Sequence, residues 1–502
     1  MIKKILFVQP FVLEKEHLTD EILIWEVYLE NYLKKKLPYL QFDLLYLPVE
    51  QDMGSLKIAS FKENELFEKQ MITMVSELDF ELDGSTLIGI SVTTSHHYLS
   101  SKLIAEFFHK FYPNSYIVFG GAHASSCPND FIDNNSTGDF IIVGEGEVSL
   151  YDLIKNPLKK QKKPVIINKK PINDLDDLPL LDFSILDKYI KNFKHLSISL
   201  SRGCPFKCVF CIEHNLLANG HVKKWRCYSP KRAILEVKRM IEYGSENGIA
   251  LYGFYDPIFG MSKKWLTSFL DLYVFEEQTQ VWIETRLDLL NDKLLQKLNH
   301  KNFYLMYGLE SYSKKMLSVM NKTNNPTIYL NKFEELFLIH KKLGSFFILN
   351  ILCNHPGETD KSQLETFSRL EEMIVKDNID PMAFNIRFYH HFTGTRIYTK
   401  FENFQKKYGS YAFFPEWYKR EELLKYGPYA VRPSAKYTLR ESFNKYTKYY
   451  INLLNNSLDN MKKYKQNGNL LKIFNLKNQV ESLKNKKGSF FKFLDENEIE
   501  IG

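Results

Sequence analysis

Short apolar runs separated by helix-length stretches recur along most of the chain, and this alternation constrains the fold more than any other feature. In the first third the runs fall at residues 5–8, 42–47, 87–92, 116–119 and 140–143. Helical stretches at 21–36, 63–76, 98–111, 129–134 and 148–155 lie between or after them. Runs that are apolar on both faces read as parallel strands buried under helices. Residues 1–160 are therefore expected to form a doubly wound, flavodoxin-like α/β sheet, with ligands bound outside the carboxyl ends of its strands. A second series of runs falls at 196–200, 249–255, 281–285, 303–308, 347–352 and 384–388. Amphipathic stretches such as 230–243 and 292–298 separate most of them. This series predicts a partial (β/α)6 barrel over 191–398, with its chemistry at the C-terminal strand ends. Residues 161–190 read as a linker, and 399–502 as a small helical cap, rich in Tyr, Lys and Trp417, with a composition suited to substrate binding.

The 502 residues accommodate two or three domains. No apolar run is as long as a membrane span. The start, Met1-Ile-Lys-Lys-Ile-Leu-Phe-Val8, has the outline of a signal peptide, but Pro10 and Glu14-Lys15-Glu16 interrupt it too soon. A cytoplasmic location is expected, with thiols kept reduced. The formal charge of +7 is modest for this length. It admits an anionic substrate or a peptide leader, and no nucleic-acid partner is expected from it.

One loop carries chemistry. Ser201-Arg-Gly-Cys-Pro-Phe-Lys-Cys-Val-Phe-Cys211 directly follows the first strand of the second series and spaces Cys204, Cys208 and Cys211 as C-x3-C-x2-C. Three thiolates this close can hold three irons of a [4Fe-4S] cluster and leave the fourth open to a small chelating ligand. A zinc site is the competing reading, but it needs a fourth ligand; His214 is the neighbour that offers one, and a lone nearby His is more often incidental. Cys127, Cys227 and Cys353 are scattered singly, which disfavours a disulfide framework or a second cluster.

The strand ends of the first domain are rich in small residues: Ser91-Val-Thr-Thr-Ser95, Gly120-Gly-Ala-His123 and Gly144-Glu-Gly-Glu147. Each glycine run alone is accounted for by a tight turn. Together they outline a crevice at one sheet edge, with Thr93, Ser95, Gly120, Gly121 and Gly144 as candidate lining.

The cysteine spacing, with the aromatic Phe210 before the last thiol, resembles the radical S-adenosylmethionine (SAM) enzymes. The glycine segments preceding it resemble the cobalamin-binding domain of one large branch of that family, the class B methyltransferase-like enzymes. Further segments match that branch in order, from Tyr228-Ser229-Pro230 through Gly308-Leu-Glu-Ser311, Met320-Asn-Lys322 and His355-Pro-Gly-Glu-Thr359 to Thr393-Gly-Thr395. The resemblance implies a [4Fe-4S] cluster on Cys204, Cys208 and Cys211, SAM on its open iron, and cobalamin in the first domain. It also implies roles for three residues. Arg286 offers a fork for the SAM carboxylate, Glu310 meets the ribose hydroxyls or the SAM ammonium, and Phe210 packs near the adenine or shields the cluster. The plain alternative for Arg286 and Glu310 is an ion pair inside the barrel. One departure stands out: the D-x-H-x-x-G element is missing after the first strand, where Gln9-Pro-Phe-Val-Leu-Glu14 stands, and His17 does not fit it. Cobalamin with an unligated lower face, or an empty first domain, is what that departure implies.

The implied activity is cobalamin-dependent methylation of an unactivated carbon in a natural product or peptide. It would draw electrons from an external donor such as flavodoxin or ferredoxin. Within enzymes the alternative is a cyclisation, rearrangement or epimerisation without methyl transfer. From another class, a non-catalytic cobalamin- or metal-binding module remains.

Overall fold

A computed structural model describes residues 1–12, 21–49, 65–132, 137–160, 162–213, 225–274, 279–436, 438–463 and 470–499. His17 and His214 lie outside the described residues. The chain divides into two compact units. The first comprises Met1–Pro205, Ile212–Ile283 and Tyr418–Leu424, and the second Phe206–Cys211, Glu284–Trp417 and Lys425–Gly502.

In the first unit, β1 (Lys4–Gln9), β2 (Glu21–Ile22), β3 (Gln41–Tyr46), β4 (Thr86–Ser91), β5 (Tyr116–Gly120), β6 (Phe140–Ile142) and β7 (Val165–Ile167) follow one another along the chain. All except β2 join one parallel sheet in the order β3-β1-β4-β5-β6-β7. Ile5, Leu6, Val8, Leu87 and Ile88 are buried in its centre, as strands covered on both faces require. The order reverses between β1 and β4, and there a crevice opens at the carboxyl ends. This is the flavodoxin-like α/β sheet expected from the sequence.

Three local details differ from expectation. Residues 21–24 do not begin the first helix, which spans Trp25–Lys36; Glu21–Ile22 instead pairs with β8 (His195–Ile198). The apolar run Ile22-Leu-Ile24 buries Ile22 and Ile24 without help from a helical face. Residues Pro128–Phe131 make a short 3-10 turn where a helix was expected, with Pro128 at its start. Strand β7 was not anticipated. Its Val165 and Ile166 sit among lysines and are exposed, so the alternation that marks a covered strand is missing.

The first unit continues with β9 (Ser201–Arg202), β10 (Arg226–Cys227), β11 (Leu251–Phe254) and β12 (Val281–Thr285). Strands β2, β8, β11 and β12 run parallel in that order. Helix Pro230–Glu246 covers them, started by Pro230 at its first position and by Ser229 Oγ accepting from Arg232 N at 3.3 Å. The two-residue strands β9 and β10 are antiparallel and bring Arg202 opposite Arg226.

The second unit carries β13 (Phe303–Glu310), β14 (Phe347–Cys353) and β15 (Phe384–Phe388), parallel in the order β15-β14-β13. Helices Pro326–Leu343 and Asp360–Val375 connect them. Two long helices, Leu439–Lys463 and Leu470–Glu496, follow and meet through Leu454, Leu458, Leu476 and Val480. The strands of the second series thus form where the sequence placed them, and the C-terminal region is helical. Among the described residues no helix is long and apolar enough to cross a membrane.

Candidate functional site

Backbone hydrogen bonds seat the segment Phe206–Cys211 on the second unit. Val209 N donates to Met320 O at 3.0 Å, and Ile397 N donates to Val209 O at 2.9 Å. The Asn321 side chain donates to Lys207 O at 2.8 Å, from a backbone at φ 51°. Phe210 packs on Tyr389, Ile397 and Val431, with its ring edge-on to His355 at 6.2 Å. It is therefore built into the wall beside Cys211.

Two buried cations lie within electrostatic reach of the Cys208 sulfur, Arg286 and Lys322. Arg286 Nε and Nη2 each donate to a carboxylate oxygen of Asp288 at 2.9 Å. The guanidinium stacks over the Phe206 ring at 3.7 Å, and Tyr329 flanks it at 5.4 Å. Burial alone would lower the Arg286 pKa; the bonds to Asp288 outweigh that and hold it above the ordinary value. Nη1 is buried and has no hydrogen-bond partner.

Lys322 donates to Glu310 Oε1 at 2.9 Å. Burial would lower its pKa, and the Glu310 charge reverses the shift, so the ammonium is held well above its ordinary range. Glu310 ends β13 at φ 66°, beside a register shift between Gly308 and Glu310. A non-glycine residue in the left-handed region next to a bulge is strained, and such strain re-aims a side chain. Tyr329 OH donates to Gly308 O at 2.6 Å and closes the group.

Both charged candidates are thus ion-paired, but not with each other. Asp288 and Lys322 are the partners. Lys322 was visible only as part of Met320-Asn-Lys322, and Asp288 gave no signal of its own.

This setting fits a thiolate-held iron cluster: cations stabilise thiolate ligands, and an orphaned guanidinium nitrogen suits a carboxylate. Among the described residues no three His, Cys, Asp or Glu side chains converge as a metal-binding group. The cluster assignment therefore rests on the C-x3-C-x2-C spacing and on the cations around Cys208.

In the first unit the carboxyl ends of the sheet open into two adjoining cavities of about 670 and 570 Å³. They share Gly121, Ala122, Gly144, Glu145, Ser199, Arg202, Glu213 and Tyr255. Thr93 and Gly120 line the second. A Cβ added at Gly120 or Gly144 would meet no atom within 4 Å, so both glycines face open space. At Gly121, φ is 94° and a Cβ would sit 2.8 Å from the Val92 backbone, so only glycine fits the turn.

Ser95 is placed differently from the other candidates. It is buried, with its hydroxyl 3.0 Å from His123 Nδ1, and it does not line either cavity. His123 Nε2 lies 3.4 Å from Asp130, which accepts from Tyr418 OH at 2.8 Å and pairs with Lys419 at 3.0 Å. Burial would raise the Asp130 pKa, but these partners keep it below the ordinary value.

Charge organises the cavity floor. Arg202 donates to Glu145 at 2.8 Å and to Glu147 at 2.7 Å, and Arg226 also bonds Glu145. Burial disfavours the Glu145 charge, but Arg202 and Arg226 prevail and lower its pKa. The Gly144-Glu-Gly-Glu147 turn is thereby tied to the residues that lead into Cys204. Trp25, Tyr28 and Tyr255 supply aromatic wall. None of these partners could be inferred from spacing, because the pairs are 55 to 81 residues apart. Among the described residues, those lining the two cavities include no His, Cys or Met. Small residues at the strand ends and an aromatic wall leave open space there, and none of these described lining residues is a His that could meet the lower face of a cobalt.

Residues 198–370 match the family model of the Radical SAM superfamily. The chain is 28% identical over 334 residues to an uncharacterized methyltransferase of Pyrococcus horikoshii, covering 62% of this chain and 68% of the relative. It is 24% identical over 338 residues to the bacteriochlorophyllide d C-8(2)-methyltransferase of Chlorobaculum tepidum, covering 64% and 68% respectively. The radical S-adenosylmethionine methyltransferase TsrM of Kitasatospora setae was solved with cobalamin and a [4Fe-4S] cluster bound. It aligns with a TM-score of 0.54 over 79% of this chain and 77% of that one, at 14% identity, which is a likeness of fold.

Proposed function

We propose that this chain is a cobalamin-dependent radical SAM methyltransferase acting on an unactivated carbon of a small molecule or peptide. The observation that carries the reading is the three-cysteine loop after β8, inside the matched domain, with buried Arg286 and Lys322 beside Cys208. When bound, the reduced cluster and SAM supply a 5′-deoxyadenosyl radical, and cobalamin supplies the methyl group.

The chain's own residues position and exclude. Cys204, Cys208 and Cys211 ligate the cluster. Arg286 Nη1 receives the SAM carboxylate, while Asp288 and the Phe206 ring fix the plane of its fork. Glu310 accepts from the ribose hydroxyls or the ammonium, and Phe210 closes the wall. In residues 1–160, Thr93, Gly120, Gly121 and Gly144 shape the cobalamin cavity, and Ser95 supports it through His123. Residues 191–398 hold the cluster and SAM, and 399–502 cover the substrate. An external electron donor such as flavodoxin or ferredoxin reduces the cluster. A reducing compartment such as the cytoplasm suits this activity, because the thiolates and the cluster have to stay reduced.

The test is the cofactor content and product mass of protein purified anaerobically from cobalamin-fed cells. The proposal expects iron, sulfide and cobalamin in the protein, 5′-deoxyadenosine on reduction with SAM, and a product heavier by one methyl group. A product without added mass would favour cyclisation, rearrangement or epimerisation. No nucleoside under good reduction would favour a binding module.

A further inference from the structure

Lys322 does more than the proposed roles ask of it. A fully buried ion pair adds little net stability, because desolvation consumes most of the attraction. Satisfying the Glu310 oxygens would need only a neutral hydrogen-bond donor. The protein instead buries an ammonium, and it adapts the backbone to do so. A Cβ at Gly308 would fall 2.5 Å from Lys322 Nζ and 2.6 Å from Glu310 Oε1, so the glycine leaves the space in which the pair lies against the strand. Glu310 adopts φ 66° beside the bulge. Tyr329 OH fixes the Gly308 carbonyl at 2.6 Å. The segment that carries Lys322 lies against the cysteine loop on both sides of Cys208: Met320 O accepts from Val209 N at 3.0 Å, and the Asn321 side chain donates to Lys207 O at 2.8 Å, so the ammonium acts on the Cys208 sulfur as well as on Glu310.

We infer that Lys322 is a positioning residue that locks the Glu310 carboxylate and sets a permanent positive charge beside Cys208, so that it tunes the reduction potential of the cluster. The inference rests on the radical SAM reading above. Reduction moves one electron from the external donor onto the cluster and adds one negative charge to the loop. A fixed cation nearby favours that reduced form, and the low dielectric of the buried site strengthens the effect.

The experiment is an EPR-monitored redox titration of the anaerobically reconstituted full chain, with SAM affinity measured in parallel. Lys322→Met should make reduction about tenfold less favourable, which is a midpoint lower by about 59 mV for one electron. Glu310→Gln should move the midpoint upward. The double variant should return it close to the parent value while SAM affinity stays weakened. Lys322→Arg, which keeps the charge, should leave the midpoint within about twofold of the parent equilibrium. Shifts of Lys322→Met and Glu310→Gln in the same direction, or no shift in either, would overturn the inference. Where Lys322→Met fails to assemble a cluster, the neutral double variant and Lys322→Arg still separate charge from folding. A parent protein whose cluster does not respond to SAM would instead refute the underlying reading.

Discussion

Replacing Arg286 by lysine isolates the geometry of the fork from its charge. Arg286 spends Nε and Nη2 on Asp288, stacks on Phe206, and leaves Nη1 buried without a partner. A lysine keeps the positive charge beside Cys208 but cannot bond Asp288 in bidentate fashion and also present a fixed donor to SAM. A hydrogen bond between charged groups contributes about 1.5–3 kcal/mol, which corresponds to about 10- to 150-fold in affinity. Arg286→Lys should therefore weaken SAM binding by that factor, while iron content stays at the parent level. Equilibrium dialysis of SAM against the reconstituted protein reads the affinity, and iron and sulfide analysis reads the cluster. Asp288→Asn should weaken binding less, since the charged fork remains and only its anchor is softened. Unchanged SAM affinity in Arg286→Lys would refute the assignment. Loss of iron in that variant would place the residue in cluster assembly instead.

Other consequences are open to test. Gly121→Ala should cost about 1–3 kcal/mol of stability from backbone strain alone, more with the Val92 contact, and lower the melting temperature. Gly120→Ala should fold normally yet bind cobalamin less well, because its methyl would project into open space. Asp256 is fully buried, bonded by Ser201 and Leu200 N, and burial raises its carboxyl from 3.8 to about 7. The folded state then holds a proton the unfolded state has released. Its stabilising effect is full below pH 3.8 and is lost as pH rises through about 7, at up to roughly 1.4 kcal/mol per pH unit. Asp256→Asn should flatten that part of a stability-versus-pH curve from thermal melts, and an unchanged slope would contradict the argument. Bound cob(II)alamin should give an EPR spectrum without nitrogen coupling from a protein imidazole, since no His lines the described cavities. Observed imidazole coupling would count against that placement.

The elements legible in the sequence were those whose signal is local. Residues 98–111 carry a 3.6-residue apolar pattern, and the helix Tyr98–Phe111 forms there. The cysteine loop and the glycine turns were readable for the same reason, since short spacing encodes them. What escaped was set by distant partners. Ser95 reads as one more hydroxyl at a strand end, but the hydroxyl points to His123, whose position depends on Asp130, Tyr418 and Lys419. The pairing of Glu310 with Lys322 depends on the bulge that re-aims Glu310, and Arg286 bonds its near neighbour Asp288 through a short turn after β12 instead of reaching Glu310. Spacing alone encodes neither. Strand β7 was hidden by its position at the sheet edge, where exposed Val165 and Ile166 follow no burial pattern.

The most direct measurement is iron and sulfide content, with 5′-deoxyadenosine formation, for the parent chain and for Cys204→Ala, Cys208→Ala and Cys211→Ala after anaerobic reconstitution. About four irons and four sulfides per chain, nucleoside formed only with SAM and reductant, and loss of both in every alanine variant is the predicted result. Full iron loading and undiminished nucleoside release in any one of the three variants would contradict it.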